Sequence, residues 1–446
     1  MELLTGSVKK LYFRYLTAAF GSSLIASIYA LVDAAMVGQY HGPDGAGALA
    51  VVAPVWNVIY SLGMLMGIGG SVLFSTIKGR GSANEREANE YFTGSVIGSV
   101  VLAVIVWVIL ILFDSKLLAF FGASGNTLTL ALTYIKPIEA VLPVFLFNQL
   151  LAAYLRNDSA PGLATAAVLG GSIFNVFGDY YFIFACDLGA RGAGIATAMG
   201  TVVSLLIALP HFFTKKNTLR LVKPSGLLKK EWEIIKTGFS TFFADIAMGI
   251  LTVLFNRQIM KYLGGDALAV YAVIVNISTF AQCCGYSVGQ AAQPIISINL
   301  GAGNGERIRA ALKYALQAMA FFALVWTALS MLIPNVFIKI FMSPTPEVLA
   351  IAPAIFRSYG LSFLLLPFNI FSTFYFQALL KPNAAFIVSV GRGLVISGLL
   401  ICLLPAALGV NALWFTMPIT EALAALYAGS RMVRYTRDLG LRGKFR

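Results

Sequence analysis

The sequence predicts an all-α membrane protein of twelve transmembrane helices in two six-helix lobes, related by a pseudo-two-fold axis along the membrane normal. Three observations predict this fold class. Of the 446 residues, 59% are hydrophobic and only 11% are charged, a composition that a water-soluble domain could not place on its surface. Apolar runs long enough to cross the hydrocarbon core recur along the chain. The second half also repeats motifs of the first at a nearly constant offset.

The predicted helices are apolar runs of roughly 20 residues or more, separated by short loops rich in Gly, Pro or charge. The first run is longer than the core of a signal peptide and lacks a small-residue cleavage site, so we expect it to be retained. The predicted helices cover residues 12–39, 49–77, 90–113, 128–155, 160–184, 191–214, 232–262, 268–299, 308–342, 348–379, 384–407 and 410–434.

The net charge of +13 follows from membrane topology. Lys and Arg concentrate in alternate loops, with seven between positions 215 and 236 and six after position 430. The intervening loops carry few Lys or Arg residues. Because cytoplasmic loops of membrane proteins are enriched in basic residues, both termini are predicted to face the cytoplasm, in the plasma or inner membrane. The basic excess therefore gives no reason to expect a nucleic-acid partner.

An internal repeat divides the chain into two halves. Ser75, Gly79, Gly81 and Ala88 return as Ser297, Gly301, Gly303 and Ala310 at an offset of 222, and Phe147-Asn148 and Gly189 return as Phe368-Asn369 and Gly409. Each half has an even number of helices, so the repeat is parallel, and rocking two such lobes exposes a midplane site to each side in turn. We expect an N-lobe at 1–214, a C-lobe at 232–446 and a cytoplasmic linker at 215–231 that only tethers them.

Acidic residues inside the predicted helices distinguish the two halves. The first lobe carries Asp33, Asn175, Asp179 and Thr197, whereas the repeat places Asn256, Ile396, Leu400 and Met417 at about the matching positions. An ionised carboxylate in hydrocarbon costs several kcal/mol, so these acids must pair, face water, take up a proton or coordinate a cation. A purely structural hydrogen-bonding role is the alternative. Two carboxylates with amide and hydroxyl oxygens also suit a hard cation such as sodium.

Further polar residues within the helices are weaker candidates. Glu139, Asp245, Glu421 and Arg392 have no assigned role, and Arg392 could extend to the cytoplasmic face. Neutral amides are candidates for lining a substrate cavity, although interhelical hydrogen bonding is the favoured explanation for them. These amides are Asn148, Asn256, Asn276, Gln282, Gln290, Gln293 and Asn369.

Motifs of energy-coupled or metal-dependent enzymes are absent from the sequence. No Gly-x-x-x-x-Gly-Lys-Ser/Thr motif occurs, so ATP hydrolysis is not expected. The two histidines, His41 and His211, have no Cys, Asp or Glu at metal-ligand spacing, and the four cysteines show no such spacing either. We expect no enzyme activity and no cofactor, with a proton or sodium gradient driving transport.

Several segments resemble the multidrug and toxic compound extrusion (MATE) family, in particular its MepA-like branch. They are Val32-Asp33-Ala34-Ala35-Met36-Val37-Gly38, Gly289-Gln290-Ala291-Ala292-Gln293-Pro294 and the paired glycine loops. The pattern Asn175-x-x-x-Asp179 followed by Gly192-x-Gly194-x-Ala196-Thr197 is similar to the first-lobe cation site of that family. The resemblance implies export of amphiphilic organic cations across a lipid bilayer in exchange for protons or sodium, with Asp33, Asn175, Asp179 and Thr197 as the site. We expect a monomer.

The sequence departs from the family pattern in helices 1 and 7. Thr17-Ala18-Ala19 and Gly238-Phe239-Ser240-Thr241 stand where many relatives have prolines, so a proline-driven bend of helix 1 is not supported. The helix-7 glutamate of some relatives has no clear match. A lipid-linked oligosaccharide or metabolite flippase is the alternative function, but it would need a cationic cavity and only Arg392 is basic at the predicted midplane. A channel would need a filter-like loop, which does not stand out.

Overall fold

A computed structural model describes residues 2–342 and 344–442, and within these ranges the chain is almost entirely helical and contains no strand. The helices of the first half are α1 (Glu2–Thr5), α2 (Val8–His41), α3 (Pro43–Gly79), α4 (Glu85–Phe120), α5 (Gly125–Glu139), α6 (Leu142–Asn157), α7 (Pro161–Asp179) and α8 (Gly189–Ala208). Those of the second half are α9 (Leu227–Tyr262), α10 (Gly265–Gly301), α11 (Gly305–Leu332), α12 (Pro334–Phe341), α13 (Pro346–Gly360), α14 (Leu366–Ala378), α15 (Pro382–Val390), α16 (Ile396–Leu408) and α17 (Thr416–Arg442).

The helices follow the predicted membrane spans in order along the chain. By length and apolarity, ten spans in the described chain can cross a bilayer, and the bent pair of α5 and α6 raises the number to 11. The twelfth predicted span falls on α17, which is too polar for this criterion. Its buried face carries Thr416, Thr420 and Glu421, all fully buried, and its end is basic. These three polar side chains of α17 are therefore covered by protein.

Prolines divide three spans that the sequence predicts as continuous. The helix expected at 128–155 is broken between α5 and α6, which meet at 63°. Proline lacks a backbone N–H and its ring clashes with the preceding turn, and Pro143 stands at the start of α6. Pro334 likewise ends the span expected at 308–342, which stops at Leu332 and restarts as α12. Before Pro367 the helix tightens into a short 3₁₀ segment.

The chain folds as two compact units. The first unit comprises residues 17–242, and the second comprises residues 3–16 together with the described residues from position 243 onward. These boundaries differ from the lobes predicted at 1–214 and 232–446, because the beginnings of α2 and α9 each pack in the unit that does not hold the rest of the helix. Consequently α2 and α9 each belong to both units.

The internal repeat is visible in the backbone as well as in the sequence. Gly42 and Gly264, each directly before a long helix, have φ of 68° and 82°, a region that glycine enters without steric cost. Two non-glycine residues at matching positions, Ser159 and Leu380, also have positive φ of 66° and 55°. Because such values are uncommon outside glycine, their recurrence indicates that the two halves turn their loops in the same way.

The segment between α8 and α9 is bound to the first unit along its length. The backbone N–H groups of Arg220 and Val222 donate to Asn89 Oδ1 (2.8 Å) and Thr93 Oγ1 (3.0 Å) of α4. Ser225 Oγ donates to Glu90 Oε2 at 2.7 Å. Arg220, Val222 and Ser225 of this non-helical segment thus bind acceptors on α4, and the segment does more than tether the two halves.

A buried cluster around Asp158 anchors the start of the same segment. Asp158 Oδ1 meets Lys78 Nζ at 2.7 Å, and Oδ2 meets His211 Nε2 at 2.8 Å and accepts the Thr218 N–H at 3.0 Å. Burial raises the pKa of Asp158, but the bonds from His211, Lys78 and Thr218 outweigh burial and hold that pKa below its usual range. The ionised carboxylate therefore stabilises the fold above the ordinary carboxyl pKa of about 4, and this contribution is lost as pH falls through the lowered pKa.

We expect Asn89→Ala to loosen the docked segment without unfolding the protein. The variant removes the acceptor of the Arg220 N–H, a loss of about 1 kcal/mol, and so opens the segment about fivefold more often. Tryptic cleavage after Arg220, which is exposed, should accelerate by that factor. Asn84→Ala is the matched control, because Asn84 makes no side-chain capping bond at the start of α4. Equal cleavage rates in the two variants would contradict this docking.

Candidate functional site

The predicted site residues of the first unit lie on three helices that pack closely. Asn175 and Asp179 are one turn apart on α7, and Thr197 is on α8. A Cβ at Gly171 would lie 2.6 Å from the carbonyl oxygen of Gly200, so only glycine at this crossing lets α7 and α8 approach so closely. The close crossing places the Asn175 side chain against α8.

Hydrogen bonds connect these residues in the interior. Asn175 Nδ2 donates to Thr197 Oγ1 at 3.1 Å and to Asp179 Oδ1 at 3.5 Å. Asp33 of α2 accepts a hydrogen bond from Tyr134 Oη of α5 at 2.7 Å. The exposed fractions of Asp33, Asn175, Asp179 and Thr197 are 4%, 3%, 0% and 7%. All four are thus enclosed by protein.

Three oxygen atoms of the site have no hydrogen-bond donor. Asp33 Oδ1, Asn175 Oδ1 and Asp179 Oδ2 are each buried without a partner in the described chain. The carboxyl groups of Asp33 and Asp179 are close enough to interact electrostatically, as is Tyr29 with both. A buried acceptor without a donor costs roughly 1–3 kcal/mol, and more when charged. The oxygens could be satisfied by a proton, a hard cation or water.

A cavity of about 110 Å³ adjoins the site within the first unit. Its lining includes Asn175 and Thr197 of the site together with Tyr60, Asn148 and Ser204. Drug-sized ligands occupy about 300 Å³ or more, whereas a water molecule takes about 30 Å³. The cavity has room for several water molecules or a hydrated ion but not for a drug.

The structure places the other amide candidates separately from this site. Asn148 is the exception, because it lines the cavity and its Nδ2 donates to the Thr201 carbonyl at 2.8 Å. Asn276 donates to the Ala272 carbonyl of its own helix at 3.1 Å. Gln282, Gln290 and Gln293 are buried in α10, and Asn256 is half-buried in α9.

Arg392 and Glu421 form a buried ion pair in the second unit. Arg392 Nε donates to Glu421 Oε1 at 2.6 Å, and Asn369 Nδ2 donates to Glu421 Oε2 at 2.6 Å. Glu421 is 0% exposed and Arg392 is 7% exposed, so Arg392 pairs inside the protein and does not extend to the membrane surface. Arg392 lies in a π-helical turn (Gly391–Val395) between α15 and α16.

The two remaining acidic candidates have local partners. Asp245 of α9 accepts a hydrogen bond from Tyr286 Oη at 2.8 Å. Glu139 is 3.1 Å from Lys136 Nζ, which also pairs with Asp114. Sequence reasoning missed Tyr134, the donor to Asp33, because it is one of 18 tyrosines and lies 101 residues from its partner. No local pattern could have identified it.

Comparisons with known proteins identify the chain. A family model described as MatE matches residues 18–181 and again residues 240–403, so the same model matches each half. The multidrug export protein MepA of Staphylococcus aureus (strain MSSA476) is 24% identical over 410 residues, covering 91% of this chain and 89% of MepA. MepA of Staphylococcus saprophyticus is 25% identical over 411 residues, with the same coverage.

Solved structures show the same fold. An outward-facing multidrug resistance MATE family transporter of the MOP superfamily aligns with a TM-score of 0.90 at 22% identity, covering 98% of both chains. A MOP superfamily transporter from Pyrococcus furiosus, described as having a binding pocket of reversed polarity that suggests a different function, aligns equally well, again with a TM-score of 0.90, 22% identity and 98% coverage of both chains.

The helical spans, the repeat and the buried acidic residues define a multi-pass membrane protein of two homologous halves. The chain belongs to the MATE family, since the family model covers well over half of its residues. Members of this family are membrane transporters, and the chain is similar to the MepA proteins among them.

Proposed function

We propose that this protein is a secondary active antiporter, which exports an amphiphilic organic cation in exchange for protons or sodium by alternating access of its two lobes. The observation that carries the proposal is the set of three buried oxygens without donors, on Asp33, Asn175 and Asp179. All three are acceptors, so they suit a positively charged occupant. A proton or a sodium ion bound there in one state and released in another would couple transport to its gradient.

Tyr134 and Thr197 would orient the coupling residues. The hydrogen bond of Tyr134 Oη holds one oxygen of Asp33 and leaves the other facing the site. Asn175 Nδ2 donates to both Thr197 Oγ1 and Asp179 Oδ1, and Asn175 Oδ1 is left without a donor. With sodium as the coupling ion, Asp33, Asn175, Asp179 and Thr197 would supply the oxygen ligands.

An amphiphilic cation is the proposed substrate for two reasons. The MepA relatives are described as multidrug export proteins, and an acidic intramembrane site favours positive charge. The cavity beside the site is too small for a drug-sized compound, so we assign it to the coupling ion and its water. The alternative flippase function loses its main support, because the charge of Arg392 is neutralised by Glu421.

The proposed setting is the plasma membrane, with both termini in the cytoplasm and the protein acting as a monomer. Most basic residues lie in loops that this orientation places inside. Addition of a membrane-impermeant cysteine reagent to whole cells would test the orientation through Cys186, an exposed cysteine beside a loop expected outside. Labelling of that thiol only after the cells are opened would contradict it.

Transport in proteoliposomes tests the function directly. Purified protein is reconstituted, and efflux of a fluorescent cationic dye is followed under a pH gradient alone and a sodium gradient alone. We expect one of the two gradients to drive efflux above the rate of protein-free vesicles. Efflux that responds to neither gradient, or only to ATP, would overturn the proposal.

A further inference from the structure

A groove in the second unit, not used by the proposed transport cycle, runs along one face of α11 beside α17. Its volume is about 500 Å³, and its lining includes Arg309, Lys313, Leu316, Ala320 and Thr436. The four α11 residues recur at spacings of three and four, so they lie on one face of the helix. We refer to this feature as the α11 groove.

One end of the α11 groove is positively charged. Arg309 and Lys313 are four residues apart and both exposed, and neither forms an ion pair among the residues that the structure describes. On α17, Arg437 is exposed next to Thr436. The acidic side chains nearest in the sequence are Glu306 and Asp438, one on each helix, so cations outnumber anions at this end.

The charged end lies at the depth of a membrane surface. Helix α11 begins at Gly305, which packs against Leu439 of α17. At 1.5 Å per residue, Arg309 is about 6 Å and Lys313 about 12 Å along the helix from this start. Side chains at this level reach the phosphate groups of one leaflet, which the distribution of basic residues predicts to be cytoplasmic.

Beyond Lys313 the lining of the α11 groove is mostly apolar, with Leu316 and Ala320 beside the single amide of Gln317, and this face of α11 continues toward the membrane centre. Leu316, Ala320 and Leu324 follow at spacings of four on the same side of α11, and Leu316 and Leu324 are 37% and 62% exposed. A lipid-facing helix needs apolar residues in any case. What distinguishes this face is that two exposed cations without an ion pair are followed by a mostly apolar surface, as a charged headgroup is followed by an acyl chain.

We propose that the α11 groove binds an anionic phospholipid. Arg309 and Lys313 hold the phosphate by charge-assisted hydrogen bonds, and one acyl chain lies along Leu316, Ala320 and Leu324. Basic pockets between transmembrane helices at the cytoplasmic surface are suited to anionic lipids, with each cation contributing to binding. Free phosphate would use only the charged end, so the apolar continuation favours a lipid.

Lipid retention by the purified full-length protein tests the proposal. The protein in detergent is incubated with phosphatidylglycerol or with phosphatidylcholine of the same acyl chains, and bound lipid is counted by native mass spectrometry. We expect phosphatidylglycerol to be retained in preference. The double variant Arg309→Ala with Lys313→Ala should bind phosphatidylglycerol about 30-fold more weakly, because each cation contributes a factor of about five to binding. The proposal is overturned if this double variant retains phosphatidylglycerol as the original protein does.

Two further variants distinguish a specific lipid site from non-specific attraction to basic residues and from a site that binds only phosphate. Lys9→Ala with Lys10→Ala removes two exposed cations at the start of another helix and should change retention less than twofold. An equal loss in both double variants would overturn the proposal. Ala320→Trp fills the apolar part and should reduce retention at least fivefold with the cations intact. Full retention in that variant, with displacement of lipid by millimolar inorganic phosphate, would also overturn it.

Discussion

Replacing Asp179 by asparagine should abolish gradient-driven efflux while the protein remains folded. Asparagine has the same shape, but it can neither take up a proton nor neutralise a bound cation. Mutation of a residue that only supports a cation ligand lowers metal affinity or activity about 10- to 100-fold. We therefore expect loss of the carboxylate itself to reduce the rate of dye efflux at least about 100-fold. The measurement is the initial efflux rate in proteoliposomes under the gradient that drives the original protein.

The control for this variant is Asp266→Asn, which removes an exposed acid from the first turn of α10. It should leave the efflux rate within twofold. Retention of folding in Asp179→Asn is checked by its elution as a single species and by an unchanged unfolding midpoint. Efflux by Asp179→Asn at the rate of the original protein would remove Asp179 from the coupling mechanism.

Replacing Glu421 by alanine should destabilise the second unit by about 3–5 kcal/mol, because it leaves the buried guanidinium of Arg392 without its counter-charge. Asn369 would lose an acceptor as well. Unfolding in mixed micelles with an increasing fraction of denaturing detergent measures the free energy. This loss is large, since a typical single substitution costs about 1 kcal/mol.

A double variant separates the energetic cost of the uncompensated charge from the cost of the lost side-chain packing. Arg392→Met combined with Glu421→Met removes both charges and keeps most of the volume, so it should cost less than Glu421→Ala alone. Glu306→Ala, at an exposed acid of α11, should change the free energy by no more than about 0.5 kcal/mol. A double variant less stable than the single one would show that the ion pair itself stabilises the helices.

Helix boundaries were predictable where the signal lies along the chain. The hydrophobic runs indicated the spans, and glycines at matching positions indicated the repeat, which the positive φ of Gly42 and Gly264 now shows in the backbone. The breaks at Pro143 and Pro334 were missed, although both prolines were visible, because a transmembrane helix can continue through a proline when its neighbours supply the missing bonds. Only the packing around each proline decides between a kink and a break.

By itself the sequence determined the fold class, the two homologous halves and the unequal distribution of acids between them. These features depend on composition, periodicity and spacing, which are properties of the chain alone. The tertiary structure decided which groups meet: Tyr134 with Asp33 across 101 positions, Arg392 with Glu421 across 29, and the loop at 218–225 with α4. A buried polar group must find a partner, but the sequence does not say which one, because the partner is set by how the helices cross.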